Sequence, residues 1–375
     1  MNTQKKIYAG AAAILFAGVA GAAWIMGSTA RSESTEDAYV EGNIVQVTPQ
    51  VGGSVTLIAA DNTDYVQAGQ PLVHLNEVDA QLAVARAEAQ LSRAVRQVRV
   101  QFANATQQIA NVTLRATDLS KVQSDLARRQ QLASSGAVSG EDLRHAEDAV
   151  RAAQAAMSVA EQQLASSQAL VDQTSIASHP DVQAAVAALR DAYVSASRTT
   201  VRAPVSGHVS KRNVQIGQRV SAGSAVMSIV PPEQMWVSAN FKESQLRNIR
   251  AGQAVELVAD LYGRSVRYKG RVVGQEAGTG SAFALLPAQN ASGNWIKVVQ
   301  RVPVRIALDQ KELAAHPLKL GLSMRVQVDT ASPVAPLAAD SRKGYQTDVF
   351  AHELEDADKA VARIIAANVG SQRVQ

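Results

Sequence analysis

The chain contains no cysteine. That excludes disulfides, thiolate metal sites, a cysteine nucleophile and a lipidated cysteine. Aromatic residues make up only 4% of its 375 residues. One large aromatic core is therefore not expected, and small β modules with alanine-packed helices are. Catalytic signatures are missing as well. There is no H-E-x-x-H, no G-x-S-x-G and no Walker loop, and "GQEAGTGSA" lacks the lysine of a phosphate-binding loop. The six histidines, among them His74, His145 and His208, are scattered, so no two read as a metal pair. Carboxylates such as Glu147 and Asp148 belong to a solvated helix face. No basic stripe interleaved with aromatics points to nucleic acid. The sequence thus predicts no catalytic residues, no cofactor, no metal site and no nucleic-acid partner. The length allows two or three domains.

One long apolar run is present. Lys5 and Lys6 precede "IYAGAAAILFAGVAGAAWIM", residues 7–26, which carry no charge. A helix that crosses a bilayer needs about 20 apolar residues. The lysines should stay cytoplasmic, which leaves the bulk of the chain in the periplasm. The rival is a cleaved signal peptide. Ser28-Thr29-Ala30 offers small residues for cleavage, but the apolar part of such a peptide usually runs only about 7–15 residues.

The chain also holds one half of a motif twice. "GSVTLIAADNTDYVQAGQPLV" begins at Gly53 and "GHVSKRNVQIGQRVSAGSAVM" at Gly207. Gly53, Val55, Val66, Ala68 and Gly69 match Gly207, Val209, Val220, Ala222 and Gly223 without a gap, and Pro49 and Pro204 precede the two copies. The valines suit one face of a strand. The four glycines are expected at turns, with Gly69 and Gly223 where positive φ is wanted. Neither half is large enough to bury its own face, so the two should pair into one flattened β-barrel. Duplicated halves of this kind resemble the biotinyl-lipoyl domain. A carrier enzyme would present a lysine between them; here "HLNEVDAQLA" has none at that point, and a long insertion follows. A split lipoyl domain with such an insertion resembles the membrane fusion protein (HlyD) family of periplasmic adaptors.

The insertion reads as a helical hairpin. From Glu77 to Ser135 there is no glycine or proline. Leu91, Val95, Val98, Phe102, Ala105, Ile109, Val112, Ala116, Leu119 and Leu126 follow steps of four and three, interrupted at Gln123. Gly136 and Gly140 break the helix, and Ser139 is a fair N-cap with Asp142 three residues on. A second seam runs Leu143, Ala146, Val150, Ala153, Met157, Ala160, Leu164 and Val171. Pro180 interrupts it, and it resumes at Val182, Val186, Leu189 and Tyr193. Each arm would be about 57 residues, roughly 85 Å if unbroken. Arg128, Leu132 and Ser139 stand as R-x3-L-x6-S at the tip. The family resemblance implies that these three meet a TolC-like outer-membrane channel. Ordinary helix-end chemistry is the plainer account, with Arg128 near a C-terminal turn and Ser139 only a cap.

Beyond Pro231-Pro232, alternation predicts strands at 235–241, 254–260, 266–274, 296–308 and 323–330, with a short helix at 243–249. Together they make a small β-barrel. Trp236, Phe241 and Trp295 are expected in its core. "VSANFKESQL" is similar to the family's barrel, and residues 278–306 resemble its EmrA-type branch. Between Val201 and Asp329 basic residues exceed acidic ones by nine. That fits a soluble surface, an anionic membrane face or an acidic partner. The tail ends in Leu354, Ala357, Val361, Ile364, Ile365 and Val369 at helical spacing, fit to dock on a neighbouring element or on another copy.

The expected fold class is α+β multidomain. A cytoplasmic stub and anchor helix (1–30) precede a split lipoyl-like domain (44–76 plus 200–231) and its inserted coiled-coil hairpin (77–199). A β-barrel (232–330) and a linker with a C-terminal amphipathic helix (331–375) follow. The resemblance implies a single-pass inner-membrane protein that links a major-facilitator drug exporter to a TolC-like channel and assembles as a ring, six copies by family resemblance. An adaptor for peptide or polysaccharide secretion is the alternative. A binding protein that captures the drug itself is the alternative of another class.

Overall fold

The computed structural model describes residues 32–134, 136–280, 282–283, 297, 299–331 and 344–369. Residues 7–26 and the loop around Trp295 lie outside them. Among the described residues no helix is long and apolar enough to cross a membrane.

Two four-stranded sheets face each other in the first β unit. One has the order β3 (Val45–Val47), β10 (Met227–Val230), β8 (Gly207–Arg212), β5 (Tyr65–Val66). The other has β7 (Thr200–Arg202), β6 (Pro71–Leu75), β4 (Gly53–Ile58), β9 (Arg219–Val220). Each sheet mixes strands from both halves of the repeat. Gly53 pairs with Val220, and Gly207 pairs with Val66. The loops repeat the exchange: Gly69 N–H donates to the Ala203 carbonyl, and Gly223 N–H donates to the Pro49 carbonyl. The shared core contains Val47, Val55, Val66, Leu72, Leu75, Val201, Val209, Val220, Val226 and Ile229. Neither half has a second face of its own to cover these valines, and each supplies the other's.

Between the halves stands the hairpin. α1 (Val78–Ala133) is one helix of 56 residues. The return arm is two helices, α2 (Gly140–Gln168) and α3 (Pro180–Ser197). The interruption expected at Pro180 is present but begins earlier: the helix already ends at Gln168, and Pro180 is the first residue of α3. Pro is well placed there, since its missing N–H is unsatisfied in any helix start. His179, buried, caps α3 by accepting the Asp181 N–H on Nδ1, and its Nε2 bonds the Leu170 carbonyl. The root of the hairpin is the best-packed part. Leu91, Val95 and Val98 of α1 meet Val182, Val186 and Leu189 of α3, all nearly inaccessible. Burial of each such side chain contributes about 1.5–3 kcal/mol.

The second β unit is a seven-stranded sheet, β1 (Ser32–Thr35), β15 (Met324–Asp329), β12 (Ala254–Ala259), β13 (Tyr268–Gln275), β14 (Arg301–Leu308), β11 (Met235–Lys242), β2 (Ala38–Gly42). β1 and β2 are consecutive in the chain yet lie at opposite ends of this order, and a Tyr39–Ser323 bridge brings them together. The sheet thus curls on itself around Tyr268, Phe241, Leu257, Ile306 and Met324. Residues 32–42 had no place in the sequence reading, because their short, polar strands carry little alternation. The expected helix at 243–249 is only a 3-10 turn at 246–248. Helix α4 (Gln310–Ala315) crosses one end, and α5 (Glu355–Val369) returns to the hairpin root.

Candidate functional site

The tip of the hairpin is built from the end of α1 and the start of α2. Gly136 adopts φ +76, and its N–H and that of Ala137 bond the Ala133 and Leu132 carbonyls. This left-handed closure satisfies helix-end carbonyls that would otherwise be orphaned. Ser139 is extended, with ψ 151, and its Oγ accepts the Asp142 N–H at 3.1 Å. The same hydroxyl donates to the Asp142 carboxylate at 2.7 Å. Glu141 and Asp142 in the first turn suit the positive end of the helix dipole.

Arg128 and Leu132 are four residues apart and share one face of α1. Leu132 is 51% exposed. The Arg128 guanidinium bonds Asp125 at 3.3 Å, and Arg129 bonds the same carboxylate at 2.9 Å. The Arg129 bond above all holds the Asp125 carboxyl below its ordinary range. The tip therefore offers an apolar side chain, two guanidiniums and a capped turn. Such a surface can dock, and nothing on it resembles a nucleophile with a base. Among the described residues no group of three or more His, Asp or Glu could hold a metal ion.

The other expected site residues divide. Gly69 and Gly223 sit at turns with φ +84 and +81. Gly53 and Gly207 do not: they are the first residues of β4 and β8. Their small size serves close packing instead. A Cβ on Gly207 would lie 2.5 Å from the Val230 carbonyl oxygen, and one on Gly53 would meet Leu75 at 3.2 Å. Phe241 is buried, but Trp236 is not a core residue. It lies on the outer face of β11, with Arg305 stacked 3.8 Å from its ring and its Nε1–H donating to Glu41. Strand alternation assigns it the opposite face from buried Val237. Ile109 also departs from its expected place, being 49% exposed. At that level Gln108 and Asn111 are half-buried beside the seam residue Val112 instead.

Comparison with known proteins bears on this assembly. A family model described as "EMRA, alpha-helical hairpin domain" matches residues 78–199. The fatty acid resistance protein FarA of Neisseria gonorrhoeae is 52% identical over 305 residues, covering 81% of this chain and 77% of FarA. The multidrug export protein EmrA of Escherichia coli K12 is 45% identical over 341 residues, 90% of this chain and 87% of EmrA. The chain belongs to the EmrA-type membrane fusion adaptors of the HlyD family. A third EmrA-type relative, the probable multidrug resistance protein EmrK of Escherichia coli K12, is 39% identical across 98% of this chain and 97% of its own length. That alignment runs into the C-terminal helix. These relatives are adaptors rather than enzymes.

Proposed function

We propose that the chain is the periplasmic adaptor of a tripartite efflux pump. It links an inner-membrane major-facilitator exporter to a TolC-like outer-membrane channel. Residues 7–26 anchor it, the split lipoyl-like unit 44–76 plus 200–231 and the barrel 232–330 lie on the exporter's side, and the hairpin 77–199 reaches toward the channel. The observation that carries this reading is the tip. It stands at the far end of a helix about 85 Å long, remote from both β units, where half-exposed Leu132 lies beside Arg128 and the Ser139 cap. A single rod encloses no conduit, so several copies, six by family resemblance, form a ring. The work is mechanical, and the driving energy belongs to the exporter.

FarA's name states fatty acid resistance, EmrA's multidrug export. The higher identity to FarA favours amphiphilic anions as cargo. Strains that carry the chain with its neighbouring transporter should be scored against long-chain fatty acids and against cationic drugs.

The deciding experiment replaces Leu132 by Asp. Expression, membrane location and co-purification with the exporter should persist, and resistance should be lost together with crosslinking of the tip to the channel. Full resistance with full crosslinking would show that the channel contact lies elsewhere.

A further inference from the structure

The hairpin is joined to the lipoyl-like unit by two links of two residues each, Asn76–Glu77 before α1 and Arg198–Thr199 after α3. They are held side by side where the Leu75 N–H, at the end of β6, donates to the Thr199 carbonyl at 2.8 Å. Two short links side by side make a pivot. The joint is not filled: a cavity of about 280 Å³ lies there, lined in part by Gln50 and Arg202 of the β unit, Arg198 of the link, and Phe350 and Glu353 of the tail.

The C-terminal segment crosses this joint. On the β side, Thr347 Oγ1 donates to the Pro204 carbonyl at 2.7 Å. At the link, Glu353 accepts two bonds from the Arg198 guanidinium, at 2.9 and 3.3 Å. On the hairpin side, α5 lies in the groove between α1 and α3. Ala357 and Ala360 let it approach closely, and Val361 and Ile364 are buried in the root core. Arg190 pairs with Asp358, Arg363 pairs with Glu88, and Arg96 and Arg99 bond the side chain and carbonyl of Asn368. The hairpin supplies most of the cations and the tail most of the acceptors. The last of these, a carbonyl at the C-terminal end of α5, also gains from the helix dipole.

We propose that residues 344–369 are a strap that fixes the angle of the hairpin on the β units. Two links leave the rod free to tilt about their line. A third attachment on both sides of the joint removes that freedom, and a small tilt at the root moves the distant tip far. The hold is charge-complementary and only modestly apolar, so salt loosens it by screening its exposed pairs, over about 8 Å at physiological ionic strength.

The chain has no native cysteine, so Ala110→Cys on α1 and Arg219→Cys on β9 place two spin labels without background. The full chain should give one narrow distance distribution. A stop codon at position 344 should abolish it in favour of a broad one. An equally narrow distribution in the truncated chain would overturn the strap. Because truncation uncovers apolar surface, the second arm keeps the fold: Arg198→Glu and Glu353→Arg should each broaden the distribution, and the double reversal should restore it. Equal widths in all three would show that this pair fixes nothing. A short bismaleimide should crosslink Arg190→Cys to Asp358→Cys within one chain; a product of twice the mass would mean that the strap serves a neighbour instead. None of these readings involves the channel, so failure here and failure of the tip assignment are separable.

Discussion

The Cα of Gly207 lies so close to Val230 that an added methyl would sit 2.5 Å from the Val230 carbonyl oxygen. Backbone cannot yield there without moving β10 off β8. Gly207→Ala should therefore destabilise the lipoyl-like unit by about 1–3 kcal/mol, the cost of overpacking. Gly69→Ala meets nothing within 4 Å and carries only the strain of φ +84, roughly 1–2 kcal/mol. Urea midpoints of the purified variants decide this. A Gly207→Ala protein as stable as the parent would mean that the two strands are not packed as described.

At the tip, the Ser139 hydroxyl is committed to the Asp142 backbone and side chain. Ser139→Ala should lower local stability by about 1 kcal/mol, visible as faster exchange of the Asp142 amide. Ser139→Asp keeps a capping acceptor and should retain both slow exchange and resistance. Loss of resistance in Ser139→Asp with the cap intact would give Ser139 a direct contact role.

Asp125 should titrate below ordinary aspartates, chiefly because Arg129 bonds its charged form. Removing Arg129 should raise the value more than removing Arg128, which is the longer bond. A depressed folded-state value stabilises the tip above the unfolded carboxylate range, and that stabilisation is lost as pH falls through the folded value. The carboxyl resonance in an NMR pH titration reads both effects, and an unchanged value in Arg129→Ala would refute the assignment.

Tyr268 behaves oppositely. Burial first, then nearby Tyr262 and Glu312, push its hydroxyl up to about 12. The unfolded tyrosine ionises near 10. Its contribution to barrel stability is thus complete below pH ~10 and drains away as pH rises toward ~12. Ultraviolet titration should show one tyrosine ionising last. Tyr268→Phe should remove that component and leave the His316 carbonyl, which accepts the hydroxyl at 2.9 Å, without this donor.

Two positions in the same heptad reading should differ sharply. Leu91 is fully buried against α3 and should cost about 2–5 kcal/mol when cut to alanine. Ile109 is half exposed, and its alanine variant should stay within about 0.5 kcal/mol. Thermal melts of the two variants test this, and equal losses would restore Ile109 to the seam.

Much of the site was legible in the chain itself. The glycine break at 136–140 located the tip, and Ser139 with Asp142 gave a cap signature, because both depend on local backbone chemistry. The inward turn of Gln108 and Asn111 was not legible, since it depends on what the partner arm offers at that level. Trp236 was misplaced because aromatic character suggested the core, whereas strand parity and the Arg305 and Glu41 partners keep it outside. The strap was half visible. An amphipathic helix at 355–369 could be read from spacing, but a stripe of apolar residues does not name the groove that receives it.

Sequence alone determined where the hairpin helices and most of the strands lie, though not the strands within 32–42, and that the two halves of the repeat belong together. Periodicity, glycine positions and capping are properties of neighbours along the chain. Tertiary structure alone decided how those segments are shared. It exchanged strands between the halves so that Gly53 meets Val220 and Gly207 meets Val66. It curled residues 32–42 into the barrel and laid the tail across the hairpin joint. These choices depend on which distant surfaces bury each other best, and no local pattern carries that information.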